Sequence, residues 1–132
     1  MISFDYNIKV YYKDIDKMGV VYYTRYLEYF EAARTEMFKS IGLIVTDIEN
    51  EGFYLPVVSA HCDYTQSANF EDELTIRTSI KKLPKARMKI EYEVLKDNVL
   101  LATGYTIHGF IDHDGNAKRP PRLFQQVMQE YF

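Results

Sequence analysis

From Phe4 to Tyr12 the residues Phe4, Tyr6, Ile8, Val10 and Tyr12 alternate with Ser3, Asp5, Asn7, Lys9 and Tyr11, which predicts a strand with one wet face. Beyond a turn at Asp14–Gly19 the period changes. Tyr22, Tyr26, Tyr29, Phe30, Ala33, Met37 and Ile41 recur at three- and four-residue steps, predicting an amphipathic helix over Val21–Ser40 that Gly42 ends. Leu43–Gly52 reads as a connection with a short helical piece. Four more strands are expected at Tyr54–Thr65, Glu73–Lys82, Arg87–Lys96 and Val99–Ile111, with a hairpin turn at Lys96-Asp97-Asn98. After Pro120-Pro121, the residues Leu123, Phe124, Val127, Met128 and Tyr131 suit a short terminal helix. Hairpin-type connections favour an antiparallel sheet, and only the helix over Val21–Ser40 is long enough to cover its inner face. The expected architecture is therefore one α+β domain over residues 1–132, a five-stranded antiparallel sheet wrapped around one long central helix.

Composition narrows what such a domain does. A chain of 132 residues buries roughly two-thirds of its unfolded surface and needs no covalent staples. Cys62, the one cysteine, has no partner in the chain and suits a reducing compartment, so the cytoplasm is expected and a cysteine-rich metal site is excluded. The N-terminal residues lack a secretory pattern, and no apolar run approaches the ~18 residues of a membrane span. A net charge of −3 with mixed signs argues against a nucleic-acid surface, although Lys81, Lys82, Lys85, Arg87 and Lys89 form a local basic cluster suited to a small polyanion. Twelve tyrosines and eight phenylalanines exceed what a core of this size needs, and a phenol tolerates half-wet interface positions, which points to an oligomer. One helix cannot cover five strands, so pairing with a second copy through a sheet edge is expected.

Candidate chemistry lies where the strand gives way to the helix. Asp14 and Asp16 precede Gly19 and the helix start, where backbone N–H groups lack intrahelical acceptors and the macrodipole favours negative charge. A carbonyl oxygen held there would be polarised. The plainer reading of Asp16 is a turn acid that accepts nearby N–H groups. Calcium binding by Asp14 and Asp16 is disfavoured, because the six to eight oxygen ligands it requires are not in view. His61, His108 and His113 have no metal-ligand spacing and read as structural; Ser59 lacks a nucleophile-elbow context.

The run Tyr-Lys-Asp-Ile-Asp-Lys-Met-Gly-Val-Val-Tyr-Tyr-Thr-Arg-Tyr-Leu-Glu-Tyr-Phe-Glu-Ala-Ala-Arg, in the order strand, helix, four strands, resembles the hot-dog fold acyl-CoA thioesterases of the 4-hydroxybenzoyl-CoA thioesterase type, including the YbgC-like branch. Leu55-Pro56-Val57-Val58-Ser59 and Phe70-Glu71-Asp72 extend the likeness less specifically. The resemblance implies a hot-dog fold and a dimeric site, so that the expected oligomer is a homodimer or homotetramer. It places the catalytic carboxylate on Asp16 and the amide that polarises the thioester carbonyl on Tyr23, and puts contacts to the coenzyme A phosphates on Lys85 and Arg87. The chain departs from many YbgC-like members, which have histidine at the position of Tyr23, and matches the hydroxybenzoyl-specific branch in having tyrosine. A backbone donor survives that change.

The expected activity is hydrolysis of an acyl-CoA thioester to free acid and coenzyme A, with Asp16 as nucleophile or general base. No metal or other cofactor is expected, coenzyme A being part of the substrate. Tyr22 and Tyr26 are candidate pocket walls with Ser59. An acyl-carrier-protein thioester shares the pantetheine arm and is a second possible substrate. Two alternatives compete: hydration or dehydration of hydroxyacyl thioesters, which needs a histidine absent from the helix-start segment, and a non-catalytic acyl-thioester-binding or interaction protein on the same fold.

Overall fold

The computed structural model describes residues 1–132. Strands β1 (Ile2–Lys9), β2 (Val57–Tyr64), β3 (Glu73–Ile80), β4 (Met88–Lys96) and β5 (Val99–His108) form one antiparallel sheet in the order β1-β3-β4-β5-β2. Helix α1 (Arg25–Ser40) packs on its inner face, and the two short helices α2 (Val45–Asn50) and α3 (Arg122–Gln129) lie after α1 and after β5 in the chain. This is the hot-dog arrangement. No helix is long and apolar enough to cross a membrane.

The core forms where the period-3.6 face of α1 meets the period-2 face of the sheet. Tyr26, Tyr29, Phe30, Ala33, Met37 and Phe38 are the buried residues of α1, and they meet Leu74, Ile76 and Ile80 of β3 and Ile90, Tyr92 and Val94 of β4 in one cluster. Phe30 stacks on Tyr92 with 4.2 Å between ring centroids. Gly42 ends α1 in the left-handed region (φ +84°), allowing Leu43 N–H to donate to Phe38 O at 2.8 Å and Gly42 N–H to donate to Lys39 O at 3.1 Å. Phe124 of α3 packs against Phe38 and Phe110, which closes the end of the core.

Element boundaries depart from the sequence pattern where long-range hydrogen bonds intervene. The helix starts at Arg25, not Val21, because Val21 bridges Ile15 and donates its N–H to Ala68 O at 2.8 Å. The first strand begins at Ile2 and ends at Lys9. Past it, Asp14 captures the Tyr11 N–H and the chain makes a 3-10 turn at Tyr12–Asp14. The second strand starts at Val57, after Pro56, whose missing N–H interrupts the ladder. Upstream of it, Tyr54 keeps only an isolated bridge to Ile111. The Asp97-Asn98 turn is as expected, both residues having positive φ (49° and 65°).

Strand β2 is the exposed edge. Of its eight residues only Cys62 is half-buried, and Val57, Val58 and Tyr64 are nearly half exposed. At its start Val57 shares a row with His108 and Met88, next to the β3–β4 loop; at its end Tyr64 lies beside Ala102.

Candidate active site

Asp16 opens a tight turn. Its N–H donates to Val20 O (2.9 Å), its C=O accepts from Gly19 N–H (3.0 Å), and its Oδ1 accepts from Met18 N–H (2.8 Å) and Val20 N–H (3.4 Å). Gly19 has φ +78°, a conformation costly for a residue with a side chain. The carboxylate is thus held at one oxygen, while Oδ2 has no hydrogen-bond partner in the chain. Asp16 does what a turn acid does, and one lone-pair-bearing oxygen remains for chemistry.

Asp14, by contrast, is buried and structural. Its Oδ2 accepts from Tyr11 N–H (3.0 Å), and its backbone oxygen accepts from Tyr22 N–H (2.9 Å), so it ties together the two sides of the Asp16 turn. The Tyr29 hydroxyl points toward it from α1 without making a hydrogen bond; burial, then the Asp14 charge, raises that phenol's pKa well above the usual range.

The start of α1 carries no side-chain cap. Thr24 sits in the α region (φ −70°, ψ −21°) and makes no capping bond, and the Tyr23 N–H has no acceptor in the chain. The neighbouring peptide groups are held: Arg25 N–H donates to Tyr22 O (2.9 Å) and the Tyr64 hydroxyl to Tyr23 O (2.9 Å).

These groups meet in a cleft of about 290 Å³ lined by Asp16, Val21, Tyr22, Tyr23, Tyr26, Tyr64, Thr65, Gln66 and Ser67. The structure therefore brings together Asp16, Tyr22, Tyr23 and Tyr26 from the sequence-derived candidates. Asp16 is the only acidic side chain in the lining. Burial raises the pKa of Tyr26, and burial with the Cys62 thiol beside it pushes Tyr64 up to about 12, so both phenols are neutral donors at ordinary pH. Burial likewise raises Cys62, leaving it a thiol.

Ser59, Lys85 and Arg87 are not in that cleft. Ser59 lies five residues up β2 from Tyr64, and Lys85 and Arg87 sit in the β3–β4 loop, where they line a second concavity of about 710 Å³ with Lys81, Lys82 and, from β4, Lys89. That loop is at the opposite end of the sheet, an eight-residue strand or about 26 Å away. The segment Tyr64–Ser67, a wall of the cleft, carries one signal in the sequence, an aromatic residue ending an alternating strand before a polar turn.

No histidine lines the cleft. His61 pairs with Asp63 (3.0 Å), His113 with Tyr54 (2.8 Å), and His108 is buried in a chain of hydrogen bonds. Glu31 and Arg34 form no ion pair; the helix pair is Arg25–Glu28 at 2.9 Å. No cluster of three or more His, Cys, Asp or Glu side chains converges on a common point.

The family model of the thioesterase-like superfamily matches residues 10–131. This chain belongs to that superfamily. Among its relatives, the acyl-CoA thioesterase YbgC of Haemophilus influenzae is 31% identical over 101 residues, covering 76% of this chain and 74% of that one. The 1,4-dihydroxy-2-naphthoyl-CoA hydrolase of a Synechocystis species is 31% identical over 132 residues, covering 97% and 96%. A solved DHNA-CoA thioesterase from Staphylococcus aureus superposes with a TM-score of 0.91 at 28% identity, over 99% of this chain and 89% of that one. This chain is a thioester hydrolase, and the cleft at the start of α1 is its candidate active site.

Proposed function

We propose that the chain hydrolyses acyl-CoA thioesters to a free acid and coenzyme A at the Asp16 cleft. One observation carries this reading: Asp16 is fixed through Oδ1 while Oδ2 stays unpartnered, in the same cleft as an uncapped helix start. The thioester carbonyl oxygen accepts the Tyr23 N–H, and negative charge developing on that oxygen is stabilised by the donor and the helix dipole. Asp16 Oδ2 then attacks the carbonyl carbon, the C–S bond breaks, coenzyme A leaves as the thiolate and takes a proton, and water cleaves the mixed anhydride. In the general-base variant, Asp16 takes a proton from a water that attacks in its place. A burst of thiol release matching the enzyme concentration, seen where hydrolysis of the anhydride is the slower step, marks the covalent route.

The placement of Lys85, Arg87 and Ser59 favours an active homodimer. Two β2 edges paired antiparallel about a two-fold axis exchange ends, so that the Val57 end of a second copy, with its β3–β4 loop, approaches the Tyr64 end of the first. Lys85 and Arg87 of the second copy then face the phosphates of a coenzyme A whose thioester lies at Asp16, and its Ser59 nears the same cleft. An acyl-carrier-protein thioester presents the same pantetheine arm and belongs in the same substrate panel.

The test is thiol release from aromatic and aliphatic acyl-CoAs, and from an acyl-carrier-protein thioester, by the wild type and Asp16→Asn. Hydrolysis by the wild type with a loss of at least ~100-fold in kcat for the variant is expected. Full turnover by Asp16→Asn rejects the assigned role, and binding without thiol release rejects hydrolysis of these esters.

A further inference from the structure

Tyr23, two residues ahead of α1, is bracketed by two hydrogen bonds, and only one of them comes from that helix. The carbonyl of Tyr22, in the same rigid peptide plane as the Tyr23 N–H, accepts from Arg25 N–H at 2.9 Å. The carbonyl of Tyr23 itself accepts from the Tyr64 hydroxyl at 2.9 Å, across 41 positions of sequence. Thr24 contributes no side-chain cap. A serine or threonine cap in an extended conformation would occupy one of the first-turn N–H groups; here the segment is braced from β2 instead, and the Tyr23 N–H keeps no acceptor in the chain.

The phenol suits that duty. Its ring meets the Tyr23 and Tyr26 rings edge-on at 6.4 and 5.1 Å, which fixes the direction of the hydroxyl. Burial and the neighbouring Cys62 thiol keep it protonated, hence a donor. We infer that Tyr64 is a positioning residue for thioester hydrolysis: it holds the Tyr23 carbonyl, on the peptide next to the one that carries the Tyr23 N–H, so that the oxyanion donor is oriented before substrate arrives. The inference rests on the reading of Asp16 and the Tyr23 N–H given above. An oxyanion donor is effective because it needs no reorganisation during reaction, and an uncapped first turn frays unless something outside the helix holds it.

The experiment compares wild type, Tyr64→Phe and Tyr64→Leu by steady-state kinetics on an acyl-CoA, by thermal melting, and by backbone NMR. Tyr64→Phe keeps the ring and removes the donor. It should lower kcat about tenfold or more with KM within about twofold of wild type, since an interaction expressed in the transition state is lost. The Arg25 amide should exchange faster, and the order parameters of Tyr23 and Thr24 should fall from the rigid range near ~0.85, while the interior of α1 is unaffected. Tyr64→Leu, without the ring, should also raise KM. Wild-type kcat in Tyr64→Phe, or a rise in KM alone, overturns the inference and leaves Tyr64 a cleft wall. If the wild type hydrolyses no thioester the proposed mechanism fails. Unchanged order parameters at Tyr23 and Thr24 would then reject the positioning role on their own.

Discussion

A Cβ placed on Gly104 of β5 would lie 2.6 Å from the ring of Phe30 and 2.5 Å from the backbone oxygen of His61. The glycine is required by close approach: α1 sits down on the sheet there, with the edge of the Phe30 ring over Gly104 and its face stacked on Tyr92, the residue paired with Gly104 across β4 and β5. Neither neighbour gives way easily, since one is a fully buried aromatic and the other is main chain of the adjacent strand. Gly104→Ala should therefore cost about 1–3 kcal/mol as an overpacking change, lowering the melting temperature by several degrees. A melt indistinguishable from wild type would mean that the helix is less firmly seated than this contact implies.

That contact also separates what the sequence discloses from what it does not. The two-residue period of Leu74, Ile76, Thr78 and Ile80 and the helical period of Tyr26, Phe30, Ala33 and Met37 each reflect burial against one surface, so strands and helix were legible along with the acid-glycine turn. What was hidden depends on partners distant in sequence. Val21 reads as helix until Ala68 O takes its N–H; Tyr64 reads as an ordinary strand residue until its hydroxyl reaches Tyr23 O. Lys85 and Asp16 are plausible together on chemistry, yet the hairpin geometry sets them at opposite ends of the sheet.

Gly19 has φ +78° with no atom within 4 Å of a hypothetical Cβ, so alanine there meets backbone strain alone. The strain, roughly 1–2 kcal/mol, falls on the turn whose N–H groups grip Asp16 Oδ1. Gly19→Ala should reduce kcat at least about tenfold, because a misplaced carboxylate loses its attack geometry. Gly115 is the control, with φ +81°, equally empty surroundings and a place in the Asp112 turn. Gly115→Ala should lower the melting temperature by a similar amount and leave kcat as it is. Equal kinetic effects in the two variants would deny the Asp16 turn any special part.

His108 should make the fold sensitive to acid. Its Nδ1–H donates to Leu55 O (3.1 Å), and with the ring neutral its Nε2 accepts from the Thr106 hydroxyl (2.9 Å), which in turn accepts from the Tyr92 hydroxyl (2.7 Å). Burial, with the Arg34 charge adding to it, lowers the pKa below 6.5 despite the opposing bond to Leu55. The unfolded chain therefore binds more protons than the folded one between the depressed value and 6.5, and stability rises with pH across that window. The contribution is intact above 6.5 and is lost as pH falls below it, with a slope of at most about 1.4 kcal/mol per pH unit for one proton. Denaturant melts of wild type and His108→Gln between about pH 7 and about pH 5.5 should show the steeper loss in wild type. Parallel slopes would place the acid sensitivity elsewhere.

If the active unit takes Asp16 from one copy and the basic loop from the other, two defective chains should repair each other. Asp16→Asn removes the reacting carboxylate; Lys85→Ala with Arg87→Ala removes two cations of the phosphate-facing loop and should raise KM for acyl-CoA several-fold, with little effect on an acyl-pantetheine that lacks the phosphates. In a mixed dimer both lesions fall in one site and the other site is intact. Random reassortment makes about half of the dimers mixed, so the mixture should regain about a quarter of the wild-type sites, read as a high-affinity phase at low acyl-CoA. A mixture that merely averages the two parents would show that each chain meets coenzyme A with its own loop, and the antiparallel pairing of β2 edges would have to be abandoned.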